Sequence, residues 1–350
     1  MIAVLGFAYC ISNQVRRHCF AKRVQVARGG PVRVRKGVSL LLLLMAISRR
    51  QFTLRSLALL ALSLRDAHSQ APPVRVLIVD GVNNHDWMTA THAITEILTA
   101  TSLFSVDVST TPPRGAPQEA WNSWRPDFSR YNVVINNFNG GHQEDGIEFP
   151  LSVQQSLETF VRGGGGLVVY HAANNAFLHW KAYNDMIGLG WRAKSFGPGL
   201  AVSDDDKIIV IPKGTGLEPG HPQRLEFQIH VRDTHHPITA GMPKVWMHPS
   251  EQLTHGQHGP AEDLTILTYA HSPVSNQNEP MDWVRSYGKG RVYTTMLGHT
   301  WVGEPTPNLD CVGFQTLLAR GVQWAATGAV TIPIPANFPG PDAVSLHKLG

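Results

Sequence analysis

Four short segments bring histidine and amide side chains together in a way that could move protons or hold a cation. They are "DGVNNHDW", with Asn83, Asn84, His85 and Asp86; "NNFNGGHQED", with Asn136, Asn137, Asn139 and His142; "HAANNAF", with His171, Asn174 and Asn175; and "GHTW", with His299 and Trp301. An imidazole titrates close to neutrality, so it can serve as acid or base, and its neutral form ligates zinc, copper, iron or nickel. Amides can orient sugar hydroxyls, but an Asn at a turn equally bonds its own backbone. A lone histidine in such a place is more often a hydrogen-bonded core residue than a ligand. The informative feature is that all four segments occupy the same kind of position.

That position is set by the elements before them. "VRVLIVDG" (74–81) is a continuous apolar run ended by a turn, and reads as a buried parallel strand. "FSVDVST", "YNVVINNF" (131–138) and "LVVYHA" (167–172) read as three more strands. Helical apolar spacing falls between them in "DWMTATHAITEILTATS" and "SVQQSLETFVRGGGG". Strands alternating with helices predict βαβ units and an α/β fold on a mainly parallel sheet. Ligands of such sheets sit at the carboxyl ends of the strands, which is where the histidines fall.

The middle of the chain changes character. From Trp180 to about Pro260 it is rich in Gly, Pro, His and Trp, with "KIIVI" and "LEFQIHV" as short strand candidates, and predicts a long loop-rich insertion. "LTILTYAH" then returns to the sheet, "DWVRSYGKGRVYTTMLG" predicts a β-hairpin about Gly288-Lys289-Gly290, and "CVGFQTLLARGVQWAATG" predicts a helix stopped by Gly328. The insertion holds a second histidine group: His230, Asp233, His235, His236, His248, Glu251, His255 and His258. No tight metal-binding spacing such as H-E-x-x-H occurs there, and His235-His236-Pro237 reads as a turn.

Other chemistries fit less well. There is no G-x-S-x-G elbow. The Gly163–Gly166 run precedes a strand instead of joining a strand to a helix, so it reads as a turn and not a phosphate cradle. Cys311 opens a helix among apolar neighbours and reads as a packed core thiol. Beyond residue 71 it is the one cysteine, so no internal disulfide can form there.

The chain has 350 residues, 43% of them hydrophobic, and a net charge of +4, which is unevenly distributed. Residues 1–71 hold 12 of the 30 Lys and Arg and one of the 26 Asp and Glu, leaving 18 and 25, a net of −7, for the rest. A surface of that sign gives no basis for nucleic-acid binding. Within the basic segment, "SRRQFTLRSLALLALSL" places Arg49-Arg50 before a short apolar run, and "SQAPP" offers a cleavage site after Ala71. This is the order of a twin-arginine export signal, and the run is too short for a membrane span. The expected organisation is an extension and signal peptide over 1–71, with Met45 as a natural start, a single domain over 72–340 and a tail over 341–350. The expected location is the periplasm, with no stable span left after cleavage.

Taken together, "VLIVDGVNNHDW", "FVRGGGGLVVYHAANNAF", "YNDMIGLGWR", "HHPITAGMP", "WVRSYGKGRVYTTMLGH" and "FQTLLARGVQWAATG" resemble the ThuA-like (trehalose-utilization) family over about 74–338. The resemblance implies a class I glutamine amidotransferase-like fold, a flavodoxin-like three-layer sandwich. In true amidotransferases the turn after the fourth strand carries a nucleophilic Cys; His171 stands there here, so glutaminase activity is not implied. The family association is with trehalose and similar disaccharides, in part through 3-keto-sugar intermediates, and some relatives hold a divalent metal through histidines. Relatives commonly read near "DELY" where this chain has "SEQLTHGQH", so Thr254 replaces a tyrosine.

The expectation is therefore a carbohydrate-processing protein acting on a disaccharide, a glycoside or its 3-keto derivative. His171, His85 and His299 are the acid/base candidates, and the same three are the candidate ligands of a zinc-like divalent metal. Asn84, His142, Asn174, Asn175, Trp180 and Glu251 are the candidate sugar contacts, with Trp301 a second stacking candidate. The rival expectation is a non-catalytic sugar- or partner-binding protein on an amidotransferase-like fold without its nucleophile.

Overall fold

The computed structural model describes residues 72–350. The upstream extension, the twin-arginine segment and the cleavage site after Ala71 lie outside the described residues.

Four strands and three helices build the first half. They are β1 (Val74–Asp80), α1 (Trp87–Thr99), β2 (Phe104–Thr110), the short α2 (Gln118–Ser123), β3 (Val133–Asn136), α3 (Leu151–Arg162) and β4 (Gly166–Tyr170). After β4 the chain makes a 3-10 turn over His171–Asn175 and enters α4 (Lys181–Ile187). β3 and β4 are buried along their whole length and β1 from Val76 onward, and their runs are mostly apolar, because both sheet faces are covered. The apolar face of α1, with Ala90, Ala93, Ile94, Ile97 and Leu98, packs on one side, and Val153, Leu157 and Val161 of α3 belong to the core on the other. Between α3 and β4, Gly164 takes φ +120, a conformation side chains resist, and the glycine run turns the chain back into the sheet.

The second half corrects the mainly parallel expectation. β5 (Gly199–Val202), β6 (Ile208–Ile211), β7 (Leu225–Val231), β8 (Val245–Glu251), β9 (Thr265–Ser272), β10 (Gln277–Tyr287) and β11 (Gly290–Thr295) precede the last helix, α5 (Val312–Thr327). The sheet has eleven strands, and its main path runs β2-β1-β3-β4-β11-β10-β9-β7-β8. From β2 to β11 all pairings are parallel; from β11 to β8 all are antiparallel. The segment expected to be a loop-rich insertion therefore extends the sheet, with β5 pairing on β10 at its side and β6 pairing on β5. The hairpin that turns at Gly288-Lys289 makes the change of direction, because a two-residue turn can only join antiparallel neighbours.

The tail is tied down. Val312 N–H donates to Ser345 O, His347 N–H to Asp310 O and Gly350 N–H to Glu96. Among the described residues no helix is long and apolar enough to cross a membrane.

Candidate functional site

His85, His171 and His299 come from the loops after β1, β4 and β11; β4 and β11 are neighbours at the middle of the sheet, and β3 separates β4 from β1. Each ring offers a nitrogen within 4.8 Å of those of the other two. The rings meet edge to face, with centroids 4.9 Å apart for His85–His171 and His85–His299 and 5.4 Å apart for His171–His299.

Each ring is set by its surroundings. His171 has φ +43, an unusual value for a side-chain-bearing residue, held where β4 ends and the 3-10 turn begins. Its Nδ1 lies 2.6 Å from Met296 O. A carbonyl only accepts, so the proton sits on Nδ1 and Nε2 keeps its lone pair. His85 Nδ1 lies 3.0 Å from Asn84 Oδ1, which also accepts from Asn139 Nδ2 at 2.6 Å, so His85 too has a free Nε2. His299 has both ring nitrogens buried with no partner among the described residues. The His85 loop is fastened to the His299 loop by Asp86 N–H donating to Thr300 O at 3.2 Å and Thr300 Oγ1 donating to Asp86 O at 2.9 Å. Asp86 also caps α1 through Thr89, which fixes the direction in which that loop enters the helix.

The His299 backbone rests on Glu251. That carboxylate accepts from Gly298 N–H at 2.7 Å, from His299 N–H at 3.2 Å and from Asn308 Nδ2 at 3.0 Å. Gly298 adopts φ +106 with its missing Cβ directed at the Tyr170 hydroxyl, 2.2 Å from where that atom would stand. His248 lies 3.4 Å from Glu251, and both are fully buried. Burial opposes charge on His248, but Cys311 and Glu251 outweigh it and raise its pKa to about 9. Burial likewise opposes charge on Glu251, yet His248 and the Gly298 N–H hold its carboxyl well below the usual carboxylate range.

The three clustered imidazoles go the other way. Burial, then the charges of His171 and His299, push His85 down to about 2. Burial, then His171, lowers His299 to about 3, and burial lowers His171. All three are thus neutral, with lone pairs available at one point. A neutral three-nitrogen set with an open position matches the catalytic pattern of zinc, and His299, whose buried nitrogens are otherwise unpartnered, fits a cation there.

The open side is walled by Trp301, 37% exposed, whose ring stacks on His85 at 4.9 Å and 25°. Trp301 lines a cavity of about 470 Å³ together with His221, Arg224, Gln252 and Glu304. A neighbouring cavity of about 590 Å³ is lined by His142, Trp191, Arg192 and Glu218. Trp191 connects the two, with His142 at 5.9 Å on one side and His221 at 5.7 Å on the other.

Several expected sugar contacts lie elsewhere. Glu251 is buried behind His299 and touches backbone, because its N–H donors leave it no free face. Trp180 packs between Phe177 and Tyr183 in the core. Asn174 is buried and donates to Gln257 Oε1 at 2.7 Å and to Met296 Sδ. Asn175 is buried too; its carbonyl accepts from Arg192, while its side-chain oxygen has no partner among the described residues. Asn84 orients His85 through its Oδ1. His142 stands outside the imidazole group and lines the neighbouring cavity.

Apart from the His248–Glu251 pair, the second histidine group does not converge. His230 stacks on Tyr269 and His236 packs on Trp324, while the backbones of His255 and His258 pair with Gly220 and Gly190. Asp233 Oδ1 accepts from the His235 and His236 N–H groups, which makes the turn expected before Pro237. Sequence reasoning missed His221, Trp191 and Asn308, which belong to the site region but follow no strand-end pattern.

The chain matches the ThuA family, described as trehalose utilisation, over residues 75–325. A crystal structure of a ThuA-like protein from Parabacteroides merdae is similar at 33% identity, covering 79% of this chain and 98% of that one, with a TM-score of 0.72. A ThuA-like protein from Bacteroides uniformis is similar at 17% identity over 75% of this chain and 96% of that one, with a TM-score of 0.47. The glutaminase domain of a Trypanosoma brucei protein, solved with bound acivicin, aligns at 10% identity over 74% and 96%, with a TM-score of 0.37. No curated protein matches the chain.

Proposed function

Because this chain belongs to the ThuA family, we propose that it processes a carbohydrate, a disaccharide or other glycoside or its 3-keto derivative, at the His85–His171–His299 cluster. The observation that carries the reading is the convergence of three neutral imidazoles, with nitrogens within 4.8 Å of one another, on whose member His85 stacks Trp301, a wall of a cavity of about 470 Å³. Three residues that are buried or half-buried and kept uncharged are poorly placed to be structural, since His299 leaves both nitrogens unsatisfied.

His85, His171 and His299 would hold a divalent cation of zinc type through their free nitrogens. When bound, such a cation supplies a Lewis acid for oxygen charge that develops on the sugar. Met296 O and Asn84 fix the tautomers of His171 and His85, and Glu251 holds the His299 backbone in register. Trp301 offers an apolar ring face to a sugar. In a 3-keto-glycoside the carbonyl acidifies the C2 hydrogen, so loss of that proton opens a route to expel the glycosidic oxygen from C1.

Metal analysis of protein from its native host, paired with an assay on a 3-keto-disaccharide, tests the reading. One equivalent of a transition metal and release of free sugar are expected. Full activity with less than about one-tenth equivalent of metal would remove the cation from it. No release from any glycoside or keto-glycoside, with or without metal, would remove the enzyme. We read residues 48–71 as a twin-arginine export signal to the periplasm; a mature N-terminus at Pro72 is the expected result of N-terminal sequencing.

A further inference from the structure

If His85, His171 and His299 commit their free nitrogens to one centre, none of them remains to take a proton from a substrate lying above them. Resting on the carbohydrate reading above, we propose that His221 is the general acid/base of this site. It follows none of the four strands whose ends deliver the other candidates.

His221 and Trp301 line the same cavity of about 470 Å³, and Trp301 stacks on His85. That shared wall brings His221 beside the imidazole group, since Trp301 also packs on His299 with ring centroids 5.5 Å apart. His221 is nevertheless not part of their ligand group. Its Nδ1 is 3.0 Å from Pro222 O, which only accepts, so the neutral ring carries its proton there and keeps the Nε2 lone pair free.

The exposed ring sits on an anchored loop. Gly220 exchanges backbone hydrogen bonds of 3.1 and 2.8 Å with His255, and Leu217 O accepts from His258 Nε2 at 3.1 Å. Gly256, at φ +65, approaches so closely that a Cβ would stand 2.6 Å from Glu218 O. Trp191 contacts the ring from the side at 5.7 Å. The other charged groups of the cavity are engaged with each other: Arg224 pairs with Glu304 at 3.0 Å and donates to Ser250 O, Pro305 O and Asn308 Oδ1. Gln252 is not basic. Among the residues lining that cavity, His221 is the one with an unpaired proton-accepting nitrogen.

The step balances within the substrate. His221 Nε2 takes the C2 proton of a 3-keto-glycoside; the C–H electron pair forms a C2–C3 double bond and the carbonyl pair moves to the C3 oxygen. As the carbonyl re-forms, a C1–C2 double bond forms and the C1–O bond breaks. The proton on His221 passes to the departing oxygen.

The first half of that step can be read without turnover. Methyl 3-keto-α-glucopyranoside in D2O, followed by proton NMR, reports exchange of the C2 hydrogen. Cobalt(II) absorption spectra of the same samples report the metal site. Wild-type protein should exceed the buffer rate, and His221→Ala and His221→Gln should lower the catalysed rate by about 100-fold or more with cobalt spectra unchanged. Added imidazole should restore exchange in His221→Ala, which a structural role would not allow. An unaltered rate in both variants, or loss of their cobalt spectra, overturns the proposal. A wild-type rate equal to that of buffer overturns the carbohydrate reading itself, and the assignment with it.

Discussion

Glu251 and His299 lie 48 positions apart, yet a Glu251 carboxylate oxygen accepts the His299 backbone N–H at 3.2 Å. The same group holds Gly298 and Asn308, so an anion with no solvent exposure sets the position of an imidazole in the candidate cation site. Removing its charge should therefore act on metal affinity as well as stability. Glu251→Gln keeps the volume but brings an N–H₂ against N–H donors. Cobalt(II) affinity should fall about 10- to 100-fold, measured by spectroscopic titration. Stability should fall by about 3 kcal/mol in urea unfolding, because charged His248 loses its partner. Wild-type affinity in a folded variant would sever Glu251 from the site.

The three imidazoles should act as one unit. His85→Ala, His171→Ala and His299→Ala should each abolish stoichiometric cobalt(II) binding, whereas His142→Ala, outside the group, should leave it intact. Metal retained by any of the first three at wild-type affinity would count against a three-histidine centre.

Gly298 should tolerate no side chain. At its φ of +106 a Cβ would stand 2.2 Å from the Tyr170 hydroxyl, so Gly298→Ala strains the backbone and displaces Tyr170. A loss of about 1–3 kcal/mol is expected from the backbone alone, seen as a lower Tm. The companion Tyr170→Phe, which removes the hydroxyl, should relieve part of it.

Glu279 should make the fold sensitive to pH. Burial raises its pKa from 4.5 to about 7, against the hydrogen bond from the Gly256 N–H. Between those values the folded chain keeps a proton that the unfolded chain has lost, so stability falls as pH rises through that window. The loss should approach roughly 3 kcal/mol above pH 7. Glu279→Gln should stabilise the protein at pH 8 and change little at pH 4, by urea unfolding at the two values. Equal effects at both would show that Glu279 does not titrate this way.

Trp301 should contribute to sugar affinity. Its ring is 37% exposed and backed by His85, so Trp301→Ala should weaken binding of methyl 3-keto-α-glucopyranoside by about 1 kcal/mol in calorimetry, with cobalt(II) affinity kept. Trp180→Ala should instead unfold the region around Phe177 and Tyr183.

The histidine positions were legible because a parallel strand buried on both faces leaves a plain mark: an apolar run that stops at a turn. "VRVLIVDG" and "LVVYHA" end where β1 and β4 end, so strand pattern alone assigns His85 and His171 to one sheet edge. In the antiparallel half "LEFQIHV", "LTILTYAH" and the hairpin were legible as β7, β9 and β10–β11, but β8 left no such mark. β8 carries His248, Pro249 and Ser250 inside its run, and its place depends on pairing with β7.

What the sequence by itself determined was which side chains arrive at the carboxyl edge of the sheet, since strand period and turn chemistry are local properties. Only the tertiary structure decided what they do there. His171 finds Met296 O across 125 positions, Glu251 disappears beneath Gly298, and His221 reaches the mouth on a loop pinned to His255 and His258. Each is a contact between distant segments, and its existence depends on strand order and register, which short-range spacing does not encode.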